Sequence, residues 1–303
     1  MSKFFGGFII TYQRPEILLD TIQKLFDQTF PPEKLWIIDN SVDSDTLQKI
    51  EALNSNRLIY HRVGHNAGPA GAAAIGLRIV AEAGYKWVFW GDDDDPPPFE
   101  NSFENIFKLL SIDLGDLRIG QMGLVGQRFD TKKGKVIRIS DAELKSQQRI
   151  EVDTIAGGQM KIVSSKVVHD GVLPEPDLFY GYEELDFDLK LKKAGYTSLV
   201  STDEFLKARN KYGRIGFNRP AYSKKASNKL WREYYSTRNL LTVLKRNKFY
   251  FGYMVCLTKS LAKGLYGFRY GWGFGVINFK FVYTGIWHSI IKEMGKKFVL
   301  QNE

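Results

Sequence analysis

The sequence lacks several features that mark common classes of protein. Its single cysteine, Cys256, cannot form an internal disulfide, which is expected for a protein of a reducing cytosol. The uncharged runs 249–258, 270–279 and 281–291 are bounded by Lys or Arg, and each is about half as long as the roughly 20 apolar residues that a membrane span needs. Neither G-x-G-x-x-G nor G-x-x-x-x-G-K-[ST] occurs, so a Rossmann dinucleotide site and a P-loop are not supported.

Acidic residues are scarce in the C-terminal third. Residues 206–303 contain 20 Lys/Arg but only three acids, whereas the first 205 residues contain 23 Lys/Arg and 31 Asp/Glu, within an overall charge of +9. Such asymmetry predicts an anionic partner for the basic region: bilayer headgroups, nucleic acid or a phosphorylated substrate.

The first third of the chain alternates short apolar strands with amphipathic helices. Strands are predicted at 4–11, 34–38, 57–63 and 87–90, and helices at 15–28, 44–53 and 69–83. The first apolar run is interpreted as a buried strand rather than a signal peptide. This alternation predicts an α/β fold with a mostly parallel sheet and helices on both faces.

Ligands of such sheets bind beyond the carboxyl ends of the strands. Three predicted strand exits carry polar side chains, at 11–14, 39–41 and 91–95, and they are expected to meet at one edge.

The remaining sequence predicts a second region. Residues 120–180 are less regular, and a helix is predicted at 182–194. We predict a catalytic domain at 1–205 and a basic, aromatic, mainly helical region at 206–303 that contacts the acceptor or a membrane surface. Basic and aromatic residues together favour an interfacial segment over a merely packed appendage.

Four consecutive aspartates, 92–95, follow the apolar strand at 87–90. Their mutual repulsion is relieved if a divalent cation lies among them, and alternate carboxylates such as Asp92 and Asp94 can converge on one ion. An acidic, solvated turn is the simpler alternative, but the position at the ligand edge favours a metal site.

Two further segments carry candidate chemistry. Glu183 and Glu184 follow an aromatic loop, where a carboxylate could accept a proton from an attacking hydroxyl, although acids also stabilise the first turn of a helix. The Gly- and Ala-rich run 66–76 leads into a helix, and small residues there let backbone approach a ligand.

Taken in order, these segments resemble family 2 glycosyltransferases of the GT-A fold over about residues 4–240. The resemblance is carried by Ile9-Ile-Thr-Tyr-Gln-Arg-Pro15, Ile38-Asp-Asn-Ser41, Asn66-x-Gly68-x-x-Gly71, the Asp cluster, Gly157-Gly158 and Glu183-Glu184-x-Asp186. Trp87-x-x-Trp90 and the segment from Trp231 to Asn239 resemble bacterial galactofuranosyl- and rhamnosyltransferases.

The resemblance implies a role for each matching residue. Glu184 would be the catalytic base. Asp39 would accept the N3–H of a uracil or thymine ring, Asp94 would be the surest ligand of Mn²⁺ or Mg²⁺, and Asp92 would be a second ligand. The nucleotide would also contact Thr11, Tyr12, Arg14, Asn40, Asn66, Gly68, Gly71, Asp92 and Asp93. The sugar substrate would contact Trp90, Gly158, Tyr182 and Glu183.

Two positions depart from the family pattern. Glu184 stands where the family normally has Asp. No His stands after the helix, where relatives often have a metal ligand, and Asn210 is the nearest residue that could replace it. These departures imply a looser metal site, or one completed by water.

The implied function is inverting transfer of a sugar from a UDP- or dTDP-sugar, with galactofuranose or rhamnose favoured. The acceptor would be a glycan or a lipid-linked glycan of cell-envelope polysaccharide synthesis. The protein would be cytoplasmic and peripheral on the inner, anionic face of the cell membrane.

Three alternative functions compete with this one. A sugar nucleotidyltransferase would need a Gly-rich, basic loop after the first strand, where the sequence has 11–16 as Thr-Tyr-Gln-Arg-Pro-Glu. A GT-A-fold nucleotide- or glycan-binding module with weak catalysis is the main alternative. Nucleic-acid binding is not expected, because no stacking or helix-turn-helix element is recognised.

Overall fold

A computed structural model of the chain describes residues 3–111, 115–217 and 225–298. The strands are β1 (Lys3–Thr11), β2 (Leu35–Asp39), β3 (Leu58–Arg62), β4 (Tyr85–Asp92), β5 (Ile119–Gly123), β6 (Arg128–Asp130), β7 (Lys135–Ile137), β8 (Arg149–Val152), β9 (Lys161–Ser164) and β10 (Thr197–Ser201). Eight of them form one sheet in the order β3-β2-β1-β4-β9-β5-β10-β8, and β6 pairs with β7.

The helices alternate with these strands and then continue alone. They are α1 (Pro15–Phe26), α2 (Asp45–Ala52), α3 (Gly68–Glu82), α4 (Ser102–Phe107), α5 (Asp141–Lys145), α6 (Ser165–His169), α7 (Glu183–Lys193), α8 (Thr202–Lys211), α9 (Trp231–Arg246), α10 (Tyr250–Tyr266) and α11 (Trp272–Ile291). The predicted boundary at residue 205 falls inside α8, and residues 218–224 and 299–303 of the predicted second region lie outside the described residues.

Alternating side chains of β1 build the core on both faces of the sheet. Phe5 and Ile9 pack with apolar residues of α1 and α4, whereas Phe8 and Ile10 pack with those of α3. The two-residue period of a strand explains this division. A Cβ at Gly76 of α3 would lie 2.4 Å from the ring of Phe8, so the absence of a side chain lets helix and sheet approach closely.

The predicted α/β sheet with helices on both faces is confirmed, and it is mixed in its second half. β1, β2, β3 and β4 are parallel, and β5 is parallel to β10. β9 runs antiparallel between β4 and β5, and β8 is antiparallel to β10. The irregular stretch predicted at 120–180 therefore supplies the antiparallel strands.

Three long helices form the C-terminal region. α11 packs on α9 and α10, and Gly285 of α11 is so close to α9 that a Cβ there would lie 2.7 Å from the carbonyl oxygen of Tyr234. Among the described residues, no helix combines the length and the apolar character that crossing a membrane requires.

Candidate active site

The three predicted strand exits meet at one edge of the sheet. In the parallel register, Thr11 of β1 lies beside Asp39 of β2, and Ile10 lies beside Asp92 of β4. The polar residues that follow these strands are therefore neighbours, as the topology rule for α/β sheets predicts.

Asp93 is completely buried and held by the residues that follow β1. Thr11 Oγ1 donates to its carboxylate at 2.7 Å, and the Arg14 guanidinium forms an ion pair with it. Burial raises the pKa of Asp93 to about 6, although the hydrogen bond from Thr11 and the charge of Arg14 oppose this rise. The Thr11 hydroxyl and the Asp93 carboxylate are thus hydrogen-bonded to each other.

Arg14 also reaches the next aspartate. Its Nη1 donates to Asp94 at 2.8 Å, and both side chains are close to half exposed. The pKa of Arg14 is raised: its burial opposes the rise, but the charges of Asp93 and Asp94 outweigh it. Arg14 therefore offsets part of the negative charge of the cluster from its solvent side.

Asp92 and Glu184 face each other across the site. Burial raises the pKa of Asp92 well above its usual range, and the charges of Glu184 and Asp95 raise it further. Glu184 Oε1 accepts a hydrogen bond from the Gly157 N–H at 3.4 Å. The site thus holds more negative charge than Arg14 alone can offset.

The glycine pair 157–158 lets backbone approach the carboxylates. A Cβ at Gly157 would lie 3.4 Å from Asp92 Oδ2, and one at Gly158 would lie 1.9 Å from Asp95 Oδ2. Any side chain at 158 would displace Asp95. These glycines therefore shape the wall of the site between the aspartates and Glu184.

The predicted nucleoside pocket contains a buried carboxylate with two partners. Asp39 accepts hydrogen bonds from the Ser41 N–H and the Tyr60 Oη, both at 2.8 Å. A carboxylate has about four acceptor positions, so a donor on a base can still be accommodated. Tyr60, which the sequence analysis did not identify, fixes the orientation of Asp39.

Two asparagines fix the loop before α3. Asn40 Nδ2 donates to the Gly68 carbonyl at 3.3 Å, and Asn40 Oδ1 accepts from the Ala67 N–H at 3.2 Å. Asn66 Oδ1 accepts from the Gly68 N–H at 2.9 Å. Gly68 has a φ of +69°, and a Cβ there would lie 2.2 Å from the carbonyl oxygen of Phe179, so glycine is required. Gly71 lies buried in the first turn of α3.

The loop at 176–182 connects this region to Glu184. Phe179 and Tyr182 both have positive φ (62° and 69°), which is strained for side chains of this size. The Phe179 carbonyl accepts a hydrogen bond from the Ala70 N–H at 3.3 Å. The loop therefore contacts the first turn of α3 directly before it enters α7.

Two fully buried residues of α9 hold this loop in place. Asn239 Nδ2 donates to the carbonyls of Leu178, Tyr180 and Gly181 at 2.9, 2.9 and 2.8 Å. Arg238 Nη2 donates to the Leu178 carbonyl at 2.9 Å. In the sequence, these two residues are distinguished only as part of the segment from Trp231 to Asn239 that resembles bacterial galactofuranosyl- and rhamnosyltransferases. Their role depends on contacts across about 60 positions of the chain, which sequence does not reveal.

An Asn239→Ala variant is expected to lose stability and activity together. The carbonyls of Tyr180 and Gly181 would lose the Asn239 donor, and the Leu178 carbonyl would keep only its bond from Arg238. We expect the free energy of unfolding to fall by about 2–4 kcal/mol. Asn247→Ala, at the end of the same helix, is the matched control, because the Asn247 Nδ2 hydrogen bond runs to the Val243 carbonyl of its own helix. Urea denaturation of both variants measures the difference. Equal losses would contradict the role of Asn239.

The remaining predicted residues lie in several environments. Glu183 and Trp90 are buried, and burial together with the charge of Glu184 raises the pKa of Glu183 well above its usual range. Tyr182 packs against the C-terminal core, and Tyr12 is partly exposed beside Asp93. Asn210 is exposed near the end of α8, whose Lys211 binds the Pro98 carbonyl. The roles assigned to these residues stay predictions.

A buried ion pair stabilises the backbone that leads to the glycine pair 157–158. Lys161 Nζ donates to Asp188 at 2.6 Å and to the Ile155 carbonyl at 2.9 Å, and both charged side chains are 0% exposed. Asp188 also accepts from the Ile155 N–H at 2.9 Å. This pair therefore fixes the backbone that leads to Gly157.

Removing the positive partner of this pair is expected to be strongly destabilising. Lys161→Met leaves Asp188 buried and uncompensated, and we expect a loss of about 3–5 kcal/mol in the free energy of unfolding. A double variant that also carries Asp188→Leu should recover most of this loss, because no unpaired charge remains. Chemical denaturation tests both. A single variant as stable as the parent would overturn this account.

Comparison with known proteins places the chain in a family. The sequence model of "Glycosyl transferase family 2" matches residues 8–169. Galactofuranosyltransferase GlfT1 of Mycobacterium tuberculosis is 28% identical over 95 residues, which is 31% of this chain and 31% of that protein. The alignment thus spans less than a third of the relative.

Comparison with solved structures covers most of the chain. Staphylococcus aureus TarS 1-349 in complex with UDP-GlcNAc has a TM-score of 0.55 at 14% identity, covering 95% of this chain and 81% of that chain. Mannosyltransferase PcManGT from Pyrobaculum calidifontis, in complex with GDP-Man and Mn²⁺, has a TM-score of 0.49 at 11% identity, covering 95% and 87%. The likeness to TarS shows the fold, which is the predicted GT-A type. Because the family model spans more than half of the sequence, the chain belongs to glycosyl transferase family 2.

Proposed function

We propose that the protein is an inverting glycosyltransferase that uses a UDP- or dTDP-sugar as donor. The observation that carries this proposal is the position of Glu184 beside Asp92, at the sheet edge where Asp39 and the Gly68 loop also lie. A proton acceptor, an acidic cluster suited to a cation and a carboxylate that can accept from a base together support transfer from a nucleotide sugar.

The nucleotide would bind along the carboxyl ends of β1 and β2. Asp39 would accept the N3–H of uracil or thymine, and Asn40 and Asn66 hold the loop against which the nucleoside would lie. Arg14, now paired with Asp93 and Asp94, would turn toward the diphosphate. Since phosphates and carboxylates attract a guanidinium alike, this exchange needs only a rotamer change.

Divalent metal binding fits the residues present. Within residues 3–111, 115–217 and 225–298, no three His, Cys, Asp or Glu side chains converge closely enough to hold an ion by themselves. Mg²⁺ typically takes only one or two carboxylates and completes its shell with phosphates and water. Asp92 and Asp94 would hold Mn²⁺ or Mg²⁺ in this way, with Asn210 as a further predicted ligand. The ion would neutralise charge on the diphosphate.

Glu184 would act as the general base. It would take the proton of the acceptor hydroxyl while that oxygen attacks the anomeric carbon, and the bond from this carbon to the nucleoside diphosphate breaks. Attack from the face opposite the leaving group inverts the configuration. The Gly157 N–H, which contacts Glu184 Oε1, orients the carboxylate. Trp90, Gly158, Tyr182 and Glu183 remain the residues proposed to shape the sugar site.

The proposed sugar is galactofuranose or rhamnose, and the proposed acceptor is a glycan or lipid-linked glycan of the cell envelope. The partial identity to a galactofuranosyltransferase supports the first of these sugars. We propose that the protein works in the cytoplasm. This compartment is compatible with a nucleotide-sugar donor and with a reduced Cys256 thiol.

Titration calorimetry with UDP, dTDP, GDP and ADP tests the donor and the metal together. We expect UDP or dTDP to bind in the presence of Mn²⁺ and to bind at least about tenfold more weakly in EDTA, because the ion offsets repulsion between the diphosphate and the acidic cluster. GDP and ADP, whose bases lack the matching N3–H, serve as controls. Binding that EDTA leaves unchanged would contradict the metal site.

A binding module with weak catalysis is the second candidate. It is favoured by Glu at 184, where the family normally has Asp, and by Asn at 210 in place of His. An assay of UDP release separates the two candidates, because an active enzyme releases UDP when it hydrolyses UDP-galactofuranose or transfers its sugar. Metal-dependent UDP binding without any turnover would favour the binding module.

A further inference from the structure

Helix α10 exposes a largely apolar stripe, which Thr258 interrupts. Phe251, Met254 and Leu265 are 69%, 56% and 57% exposed, and Leu261 lies between them. Positions 251, 254, 261 and 265 fall on one side of a helix, because their spacing repeats the 3.6-residue turn. The opposite side, with Gly252, Cys256 and Gly264, is buried against the protein.

Helix α11 continues this stripe with aromatic side chains. Trp272 is 79% exposed and Trp287 58% exposed, with Val276 and Phe279 on the same side. Phe279 stacks on Tyr283 at a centroid distance of 4.0 Å, and Tyr283 Oη donates to the Leu261 carbonyl of α10 at 3.3 Å. The two stripes therefore adjoin. Together, Phe251, Met254, Leu261, Leu265, Trp272, Val276, Phe279 and Trp287 form what we name the α10–α11 face.

The two helices that form this face carry basic side chains but no acidic ones. Residues 234–292 contain nine Lys/Arg and no Asp or Glu. Lys259 and Lys280 are exposed on the two helices that form the face, and Arg269 is exposed in the turn between them. A surface with Trp, Tyr and Phe on one side and Lys and Arg at its margin matches helices that lie in the interface of an anionic membrane.

We propose that the α10–α11 face binds peripherally to the surface of an anionic lipid bilayer, with both helices parallel to the membrane plane. Apolar side chains of this face would enter the boundary between headgroups and acyl chains, and the lysines and arginine would contact lipid phosphates. A second copy of the chain fits less well, because two such faces would bring like charges together without any acidic partner. The inference does not depend on which sugar the protein transfers.

Co-sedimentation with lipid vesicles tests this surface on the full chain. Vesicles of phosphatidylcholine alone are compared with vesicles that also contain phosphatidylglycerol. We expect at least about tenfold stronger binding to the anionic vesicles, and we expect high salt to weaken it, because exposed charges are screened. Equal binding to both kinds of vesicle, or binding to neither, would overturn the proposal.

Substitutions then test whether vesicle binding depends on the α10–α11 face or on another part of the protein. Trp272→Ser combined with Phe251→Ser should weaken vesicle binding by about tenfold or more, because two large aromatic side chains no longer enter the interface. Leu53→Ser is the matched control, since Leu53 is an exposed apolar residue (45%) at the end of α2. Metal-dependent UDP binding should be unchanged in both variants, which verifies that they are folded.

Light scattering without lipid tests whether a second copy of the chain covers the α10–α11 face instead. The parent protein and the Trp272→Ser, Phe251→Ser variant should have the same mass. A parent dimer that becomes a monomer in the variant would show that a second copy covers the face, and the membrane proposal would fall. A combined Lys259→Gln, Arg269→Gln, Lys280→Gln variant should lose the preference for anionic vesicles, and retention of that preference would equally contradict the proposal.

Discussion

A Glu184→Gln variant is expected to bind UDP as tightly as the parent and to transfer sugar at a rate about 10²–10⁴-fold lower. Gln has the size of Glu but cannot accept a proton at neutral pH, so the acceptor hydroxyl would keep its proton while it attacks. Removing one negative charge beside Asp92 also lowers repulsion in the site, so donor binding should not weaken. The loss should therefore appear in kcat rather than in the affinity for UDP.

Two further variants make this result specific. Glu184→Asp restores the residue that the family normally carries but shortens the side chain by one methylene, and we expect it to retain measurable turnover. Asp203→Asn, an exposed acid in the first turn of α8, should leave both turnover and UDP binding unchanged. Rates are followed as UDP release with the sugar donor and a glycan acceptor. Normal turnover of Glu184→Gln would remove Glu184 as the base.

The sequence was sufficient to predict the first half of the sheet. β1 was predicted at 4–11 and is found at Lys3–Thr11, and β2 was predicted at 34–38 and is found at Leu35–Asp39. Each is an apolar run that ends in a polar exit, so both its extent and its position at the ligand edge follow from local pattern. The same logic located the aspartates and the loop before α3.

Pairing between distant segments could not be predicted in the same way. β9 lies antiparallel between β4 and β5, although its four residues read only as a short apolar run. The contacts of Asn239 with the loop at 176–182 could not be predicted either. No pattern in the residues around a helical asparagine indicates which distant carbonyls it will bind. The partners of Thr11 and Asp39 likewise depend on which polar side chains the fold brings together.

Asp92→Asn is expected to abolish metal-dependent donor binding and, at the same time, to stabilise the protein. Asp92 is partly buried at the end of β4, close to Glu184, Asp93 and Asp95, so its charge is disfavoured by both burial and repulsion. Asn keeps the shape but removes the charge, and we expect the free energy of unfolding to rise by about 1 kcal/mol in the absence of metal. Loss of function with gain of stability is typical of residues retained for binding or catalysis.

Asp94→Asn provides the contrast that separates binding from stability. Asp94 is 48% exposed and already pairs with Arg14 at 2.8 Å, so its removal relieves no buried charge. We therefore expect Mn²⁺-dependent UDP binding to be lost in both variants, whereas only Asp92→Asn becomes more stable toward urea in EDTA. Calorimetry and urea denaturation on the three proteins measure the two quantities independently. If Asp92→Asn lowered the stability instead, the carboxylate would have a favourable partner in the absence of metal, and cation binding would no longer explain its position.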